Sequence, residues 1–72
     1  MRDVPIRGDT IRLGQLLKLA DVIDSGAEAR AFLAGGEVTV NGEPETRRGR
    51  RLDLGDVVGA EGVELRVVAR DR

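Results

Sequence analysis

The sequence predicts an α+β fold in which two short packed helices lie against a small antiparallel sheet. Three observations support this fold class. Apolar residues recur at helical spacing in the first half of the chain, they alternate with polar residues in the second half, and turn-forming pairs separate the alternating segments. With 72 residues, one Phe and no Trp, Tyr or Cys, the chain can form one small domain, expected over residues 1–72, whose core consists of Leu, Val, Ile and Ala.

The first segment, DVPIR, is expected to form either an edge strand or an irregular arm. Val4 and Ile6 alternate with polar neighbours, as in a half-buried strand. Pro5 lacks a backbone N–H donor, and this confines any strand here to the edge of a sheet.

The segment TIRLGQLLKLADVI predicts the first helix. Its apolar residues follow the i, i+3, i+4, i+7 pattern, and either Asp9 or Thr10 is available as the N-cap. The residues of this apolar stripe are Leu13, Leu16, Leu17 and Ala20.

A second helix is predicted directly afterwards, in DSGAEARAFLAGG. Ser25 and Glu28 have the spacing of a capping box, in which each side chain accepts from a free backbone N–H at the helix start. Gly35 and Gly36 offer the left-handed residue that ends a helix. The inward side of this helix is predicted to consist of Ala29, Phe32 and Leu33.

The remaining chain is predicted to form antiparallel strands. Val38 and Val40 alternate before Asn41-Gly42, the pair that best tolerates the positive φ angles of a type I′ hairpin turn. Further turns are expected at Gly55-Asp56 and between residues 59 and 62, and residues 70–72 are expected to form a frayed tail. The later inward-facing residues are predicted to be Leu52, Leu54, Val63, Leu65 and Val67.

The composition argues against catalysis and against membrane insertion. The chain has neither His nor Cys, the usual general base and the strongest nucleophile, and it is too short to enclose a pocket for carboxylate chemistry. Its acidic residues have irregular spacing, so we expect no metal and no cofactor. No apolar stretch approaches the roughly 20 residues that span a bilayer. We therefore expect a non-catalytic, monomeric, cytoplasmic binding protein.

The most unusual feature of the sequence is a cluster of arginines in NGEPETRRGRR, residues 41–51, in a chain of formal net charge -1. Arg47, Arg48, Arg50 and Arg51 surround a single glycine. Several cations on one surface favour nucleic-acid binding, because neutralised phosphates release condensed counterions. Arginine adds a planar group that binds phosphate in a bidentate manner. The alternative is a solvated loop whose charge is balanced by neighbouring Asp and Glu residues.

The run LLKLADVIDSGAEARAFLAGGEVTVNGEPETRRGRRLDLGDVV resembles the S-four RNA-binding domain, named after ribosomal small-subunit protein four. The resemblance covers about residues 11–68 and depends most on SGAEAR, GGEVTVNG and LGDVV. It is greatest to the small stand-alone bacterial members of the YbcJ type. The resemblance implies two packed helices against a small antiparallel sheet, with one side binding structured RNA, such as ribosomal or transfer RNA.

The expected RNA-binding residues come from three parts of the chain. The arginine cluster supplies four of them. The start of the second helix supplies Ser25 and Gly26, because free N–H groups and a helix dipole attract phosphate, although plain capping also explains Ser25. Arg30 matches a basic position of the family. Arg12 and Lys18 are flanking candidates on the first helix.

Two other functions remain open from the sequence. The chain could be a protein-interaction adaptor of a ribonucleoprotein or the ribosome, docking through a sheet edge or an acidic surface. It could also be a helix-turn-helix protein that binds DNA, although its second helix carries mainly small and acidic residues where base-reading side chains are needed. Gly26, Ala31 and Ala34 stand where many S-four domains carry Arg or Lys, so backbone contacts are favoured over sequence readout.

Overall fold

A computed structural model describes residues 1–70 of the chain and shows an α+β architecture. The expected tail falls mainly on residues 71 and 72, which lie outside the described residues; Arg70 itself donates its backbone N–H to the carbonyl of Ile6 at 3.0 Å. The elements, in chain order, are β1 (Arg2–Ile6), β2 (Thr10–Arg12), α1 (Leu13–Leu19), α2 (Gly26–Ala34), β3 (Thr39–Val40), β4 (Glu43–Pro44), β5 (Arg51–Asp53), β6 (Val57–Ala60) and β7 (Val63–Ala69).

The main sheet has five strands in the order β1-β7-β6-β3-β4. Four of these strands pair in antiparallel fashion, as the sequence predicts. The first strand differs because it pairs parallel to β7, with Val4 opposite Val67 and Ile6 opposite Ala69. The sheet is therefore mixed, and β1 occupies an edge, as Pro5 requires. A second, two-stranded ladder joins β2 to β5.

The core lies between the helices and one side of the main sheet, and it is almost entirely aliphatic. The fully buried leucines come from both helices and both sheets, and no described buried side-chain N or O atom lacks a hydrogen-bond partner. Phe32 is only half-buried and packs against this core from its edge. The largest fully buried side chains are Leu13, Leu16, Leu17, Leu33, Leu52, Leu65, Val38, Val40, Val58 and Val67.

The first helix begins later than the sequence predicts. Thr10 belongs to β2, and Arg12 occupies the N-cap of α1, where its backbone N–H donates to the Oε1 atom of Gln15 at 3.2 Å. The prediction of Asp9 or Thr10 as N-cap is therefore wrong. The apolar pattern extends into residues 11–13, but pairing with β5 holds Thr10 and Ile11 in an extended conformation.

The second helix starts and ends where the sequence predicts. Ser25 is the N-cap and accepts from the backbone N–H of Glu28 at 3.4 Å. The carboxylate of Glu28 accepts from the N–H of Asp24 rather than that of Ser25, so the reciprocal half of the capping box is displaced by one residue. Gly36, with a φ of 77°, supplies the left-handed residue beyond the helix.

The predicted hairpin at Asn41-Gly42 is confirmed. Val40 pairs with Glu43 across a two-residue turn, and both turn residues have positive φ angles of 52° and 88°.

Two inward-facing predictions in the later strands are wrong. Leu54 is exposed because it follows the end of β5, and Val63 is exposed at the first position of β7. Within residues 1–70, no helix is long and apolar enough to cross a membrane.

Candidate nucleic-acid interface

The arginine loop, defined as residues 46–50, is held in shape by the buried carboxylate of Glu45. One carboxylate oxygen accepts from the backbone N–H groups of Thr46 and Arg47, at 3.1 and 2.9 Å, and from Nε of Arg47 at 3.0 Å. The other accepts from Arg47 at 3.1 Å and from Arg50 at 2.9 Å. The Glu45 side chain is only 8% exposed, so it is a fixed anchor around which the loop folds.

These contacts stabilise the ionised form of Glu45. The hydrogen bonds from the side chain and the backbone of Arg47 are the largest causes, followed by the bond from Arg50, and together they hold the pKa of Glu45 far below its ordinary value of 4.5. The carboxylate is therefore charged at neutral pH. Its negative charge offsets part of the positive charge that Arg47 and Arg50 bring to the loop.

The loop is also attached to the start of α1. The backbone N–H groups of Leu13 and Gly14 donate to the carbonyls of Arg50 and Arg48, at 2.8 and 2.9 Å. These carbonyls satisfy donors that the first turn of a helix otherwise leaves free. Gly14 permits the close approach, because a Cβ atom there would lie 3.3 Å from the Cβ of Arg48. The N-terminus of α1 thus binds the protein's own loop.

Arg48 faces a cavity of about 290 Å³ between α1, α2 and the arginine loop. Arg12, Lys18 and Arg48 bring three positive charges to its wall, and none of the carboxylates that the structure describes lines it. The rest of the wall includes residues with small side chains, Gly14, Gly26, Ala29 and Gly49, and one amide, Gln15. We call this space the cationic cavity. It combines positive charge with room for an anion to approach the backbone.

Two arginines lie side by side on the two-stranded ladder next to this cavity. Arg12 in β2 is directly opposite Arg51 in β5, and both side chains are exposed. Like charges at directly opposed positions are unfavourable for strand pairing. Arg51 also lies 3.5 Å from Asp53, and Arg12 donates to the carbonyl of Gly49 at 3.1 Å. The arrangement concentrates positive charge beside the cavity at some expense of fold stability.

The remaining candidates lie on and before α2. Gly26 lines the cationic cavity, and its carbonyl is 3.4 Å from a guanidinium nitrogen of Arg48. Ser25 precedes it as the exposed N-cap. Arg30 is exposed and lies four residues after Gly26, which places it on the same side of the helix, one turn further from the cavity.

The structure thus separates the nine predicted site residues into groups. Arg12, Lys18, Gly26 and Arg48 meet at one cavity, with Ser25, Arg30 and Arg51 beside it. Arg47 and Arg50 instead bind Glu45.

Sequence reasoning missed Gly14 and Gln15 as parts of this cavity. A glycine inside an amphipathic helical pattern is a signal of close backbone approach, and this signal at Gly14 could have indicated the docking of another segment. Gln15 carried no comparable signal.

Among the described residues, no group of three or more Asp or Glu side chains could hold a metal ion.

Comparison with known proteins gives a consistent family assignment. A family model described as "S4 domain" matches residues 4–68. This is the S-four domain that the sequence resembles. A Bacillus subtilis protein named "Probable ribosome maturation protein RlbA" is 62% identical over 60 residues, covering 81% of this chain and 84% of that protein. An Escherichia coli protein named "Putative RNA-binding protein YbcJ" is 39% identical over 59 residues, covering 82% of this chain and 84% of that protein. The chain therefore belongs to the S4 domain family.

Proposed function

We propose that this protein is a non-catalytic RNA-binding protein that contacts the phosphate backbone of structured RNA. The observation that carries the proposal is the cationic cavity, in which three positive side chains surround a space that no carboxylate within residues 1–70 lines. Phosphate groups satisfy such a site, because they neutralise the cations and accept hydrogen bonds from guanidinium and ammonium groups.

In this proposal the central contacts come from Arg12, Lys18 and Arg48 at the cationic cavity. Ser25, Gly26, Arg30 and Arg51 form its rim and extend the contact along the RNA backbone. Arg47 and Arg50 also belong to the surface, but the nearby carboxylate of Glu45 reduces their contribution. Because an electrostatic field depends on the arrangement of charges, a formal net charge of -1 is compatible with this local function.

The side chains available favour recognition of RNA shape over recognition of sequence. Single-strand binders stack bases on exposed aromatic rings, whereas this chain has no Trp or Tyr and its one Phe is half-buried. Double-stranded RNA is instead recognised mainly through phosphates and 2′-hydroxyl groups. We therefore propose a folded or double-stranded RNA as the ligand.

The names of the relatives support a ribosomal context for this RNA. The Bacillus subtilis relative is named for ribosome maturation, and the Escherichia coli relative is named for RNA binding. We propose ribosomal RNA, in mature or precursor form, as the first ligand to test, and transfer RNA as the second.

The decisive experiment compares Arg48→Ala with wild type in titrations of an RNA hairpin at several salt concentrations. Loss of one phosphate contact is expected to reduce the slope of log affinity against log salt by roughly 0.7 to 0.9. The matched control is Arg66→Ala. Arg66 pairs with Asp3 at 3.0 Å and projects from β7 on the side opposite buried Leu65 and Val67.

We expect Arg66→Ala to leave the slope unchanged. Equal slopes for wild type and a folded Arg48→Ala variant would contradict the proposed site. If neither variant nor wild type bound RNA at all, the protein-interaction adaptor would become the better explanation.

A further inference from the structure

We propose that the RNA-binding surface continues across α1 into a second groove, where Arg7 and Arg70 bind another run of phosphates. This inference rests on the proposed function and extends it to residues that the family resemblance did not indicate. It also specifies the ligand as a folded or double-stranded RNA whose phosphates lie on both sides of α1.

The second groove is an open depression of about 790 Å³ formed by the ends of β1 and β7, by β2 and by α1. Among residues 1–70, three cations line it, Arg7, Lys18 and Arg70, and no carboxylate does. Asp9 lies in the neighbouring turn but is not part of the lining. The groove therefore has the same charge character as the cationic cavity.

The two depressions are adjacent and are separated by one ridge. Gln15 and Lys18 line both of them, and their i, i+3 spacing places them next to each other on the surface of α1. A phosphate-bearing ligand in the cationic cavity can therefore reach the second groove by passing over these two side chains. Lys18, which lines both, is available to phosphates on either side.

Parallel strand pairing brings Arg7 and Arg70 together. Ile6 is opposite Ala69 in the β1–β7 register, and the N–H of Arg70 donates to the carbonyl of Ile6 at 3.0 Å. The residue that follows each strand is therefore an arginine, and both arginines lie at the same end of the sheet although they are 63 positions apart in sequence. Asp3 and Arg66 are also opposite each other in this register, but these two side chains form an ion pair with each other.

The apolar part of the groove favours RNA over a simple anion. Leu19 is 53% exposed, one of few large apolar side chains on the described surface, and it lines the groove together with Ile11. Ribose carbons along the wide, shallow minor groove of an RNA helix offer apolar surface for these side chains beside the phosphates.

The test uses the double variant Arg7→Ala/Arg70→Ala with two probes, an RNA hairpin and a single-stranded oligoadenylate of the same length. For the hairpin, loss of two phosphate contacts is expected to lower the salt slope by about 1.4 to 1.8. The oligoadenylate has no duplex that could place phosphates on both sides of α1. For this probe we expect the double alanine variant to show the same salt slope as wild type. The variant Arg7→Lys/Arg70→Lys retains both charges and is expected to keep the wild-type slope with both probes.

The outcomes separate this inference from the proposed function. If the double alanine variant kept the hairpin slope while Arg48→Ala reduced it, RNA binding at the second groove would be contradicted. RNA binding at the cationic cavity would still be supported. Equal losses for hairpin and oligoadenylate would overturn the assignment to duplex-containing RNA. If no variant altered the slope, both proposals would fail together. Circular dichroism melting of each variant checks that the fold is retained.

Discussion

Arg47 and Arg48 are neighbours in the chain but lie in different electrostatic environments. Arg47 makes two side-chain bonds to the buried carboxylate of Glu45, at 3.0 and 3.1 Å. Arg48 turns the other way and lines the cationic cavity, where its described polar contact is with the carbonyl of Gly26 at 3.4 Å. Both side chains are exposed, but a carboxylate offsets the charge of Arg47, whereas Arg48 lines a cavity with other cations.

The difference shows that counting arginines overstates the charge available to a ligand. Glu45 is the deciding residue, because one buried carboxylate accepts from two of the four clustered arginines and from two backbone N–H groups. It also orients the loop so that the carbonyls of Arg48 and Arg50 reach the start of α1. We infer that Glu45 acts as a positioning residue for the cationic cavity.

The largest expected effect on stability comes from Glu45→Gln. Both carboxylate oxygens accept hydrogen bonds, so an amide must direct its NH₂ group at existing donors in either orientation. We expect the thermal midpoint to fall by several degrees, as losses of this kind do in small domains. The matched control is Glu43→Gln, at an exposed position in β4, which should leave the midpoint close to wild type. Equal midpoints for the two variants would contradict the anchoring role of Glu45.

Acid should destabilise the contacts between Glu45 and the arginine loop. The pKa of Glu45 is lower in the folded protein than its ordinary value of 4.5, so the unfolded chain takes up this proton first as pH falls. The stabilising contribution is complete above about pH 5 and declines progressively below it. Unfolding midpoints measured from about pH 7 to about pH 2.5 check this.

Other carboxylates titrate in the same range in wild type and in variants, so the comparison with Glu45→Gln isolates the contribution of Glu45. We expect the stability gap between the two proteins to narrow as the pH falls. A gap that stays constant down to the lowest pH would show that ionisation of Glu45 is not what stabilises the loop.

The smallest expected effect is on RNA affinity in Arg47→Ala. Because Glu45 offsets its charge, removal of Arg47 should change the salt slope by less than the roughly 0.7 to 0.9 expected for a full phosphate contact, which we assign to Arg48. The double variant Arg47→Ala/Arg48→Ala should therefore lose less than twice that value. Titration of the same hairpin with each single variant measures the two contributions. A larger slope change for Arg47→Ala than for Arg48→Ala would reverse the assignment.

Local rules predicted a large part of the fold. The N-cap of α2, its end before Gly36 and the hairpin turn at Asn41-Gly42 all depend on residues within a few positions of each other. The alternation of buried and exposed residues at Leu65 to Val67 is local in the same sense. The arginine cluster was equally visible, because it is a run of charge in sequence.

The sequence by itself determined the fold class, the second helix, the main hairpin and the presence of concentrated positive charge. Only the tertiary structure decided which of these charges share a surface. Arg12, Lys18 and Arg48 meet because the loop docks on α1, and Arg7 meets Arg70 because β1 pairs parallel to β7. The physical reason is the sequence distance between the residues in contact. Caps and turns are fixed by neighbouring residues, whereas strand pairing and the docking of the loop on α1 depend on contacts between distant segments that no local pattern specifies.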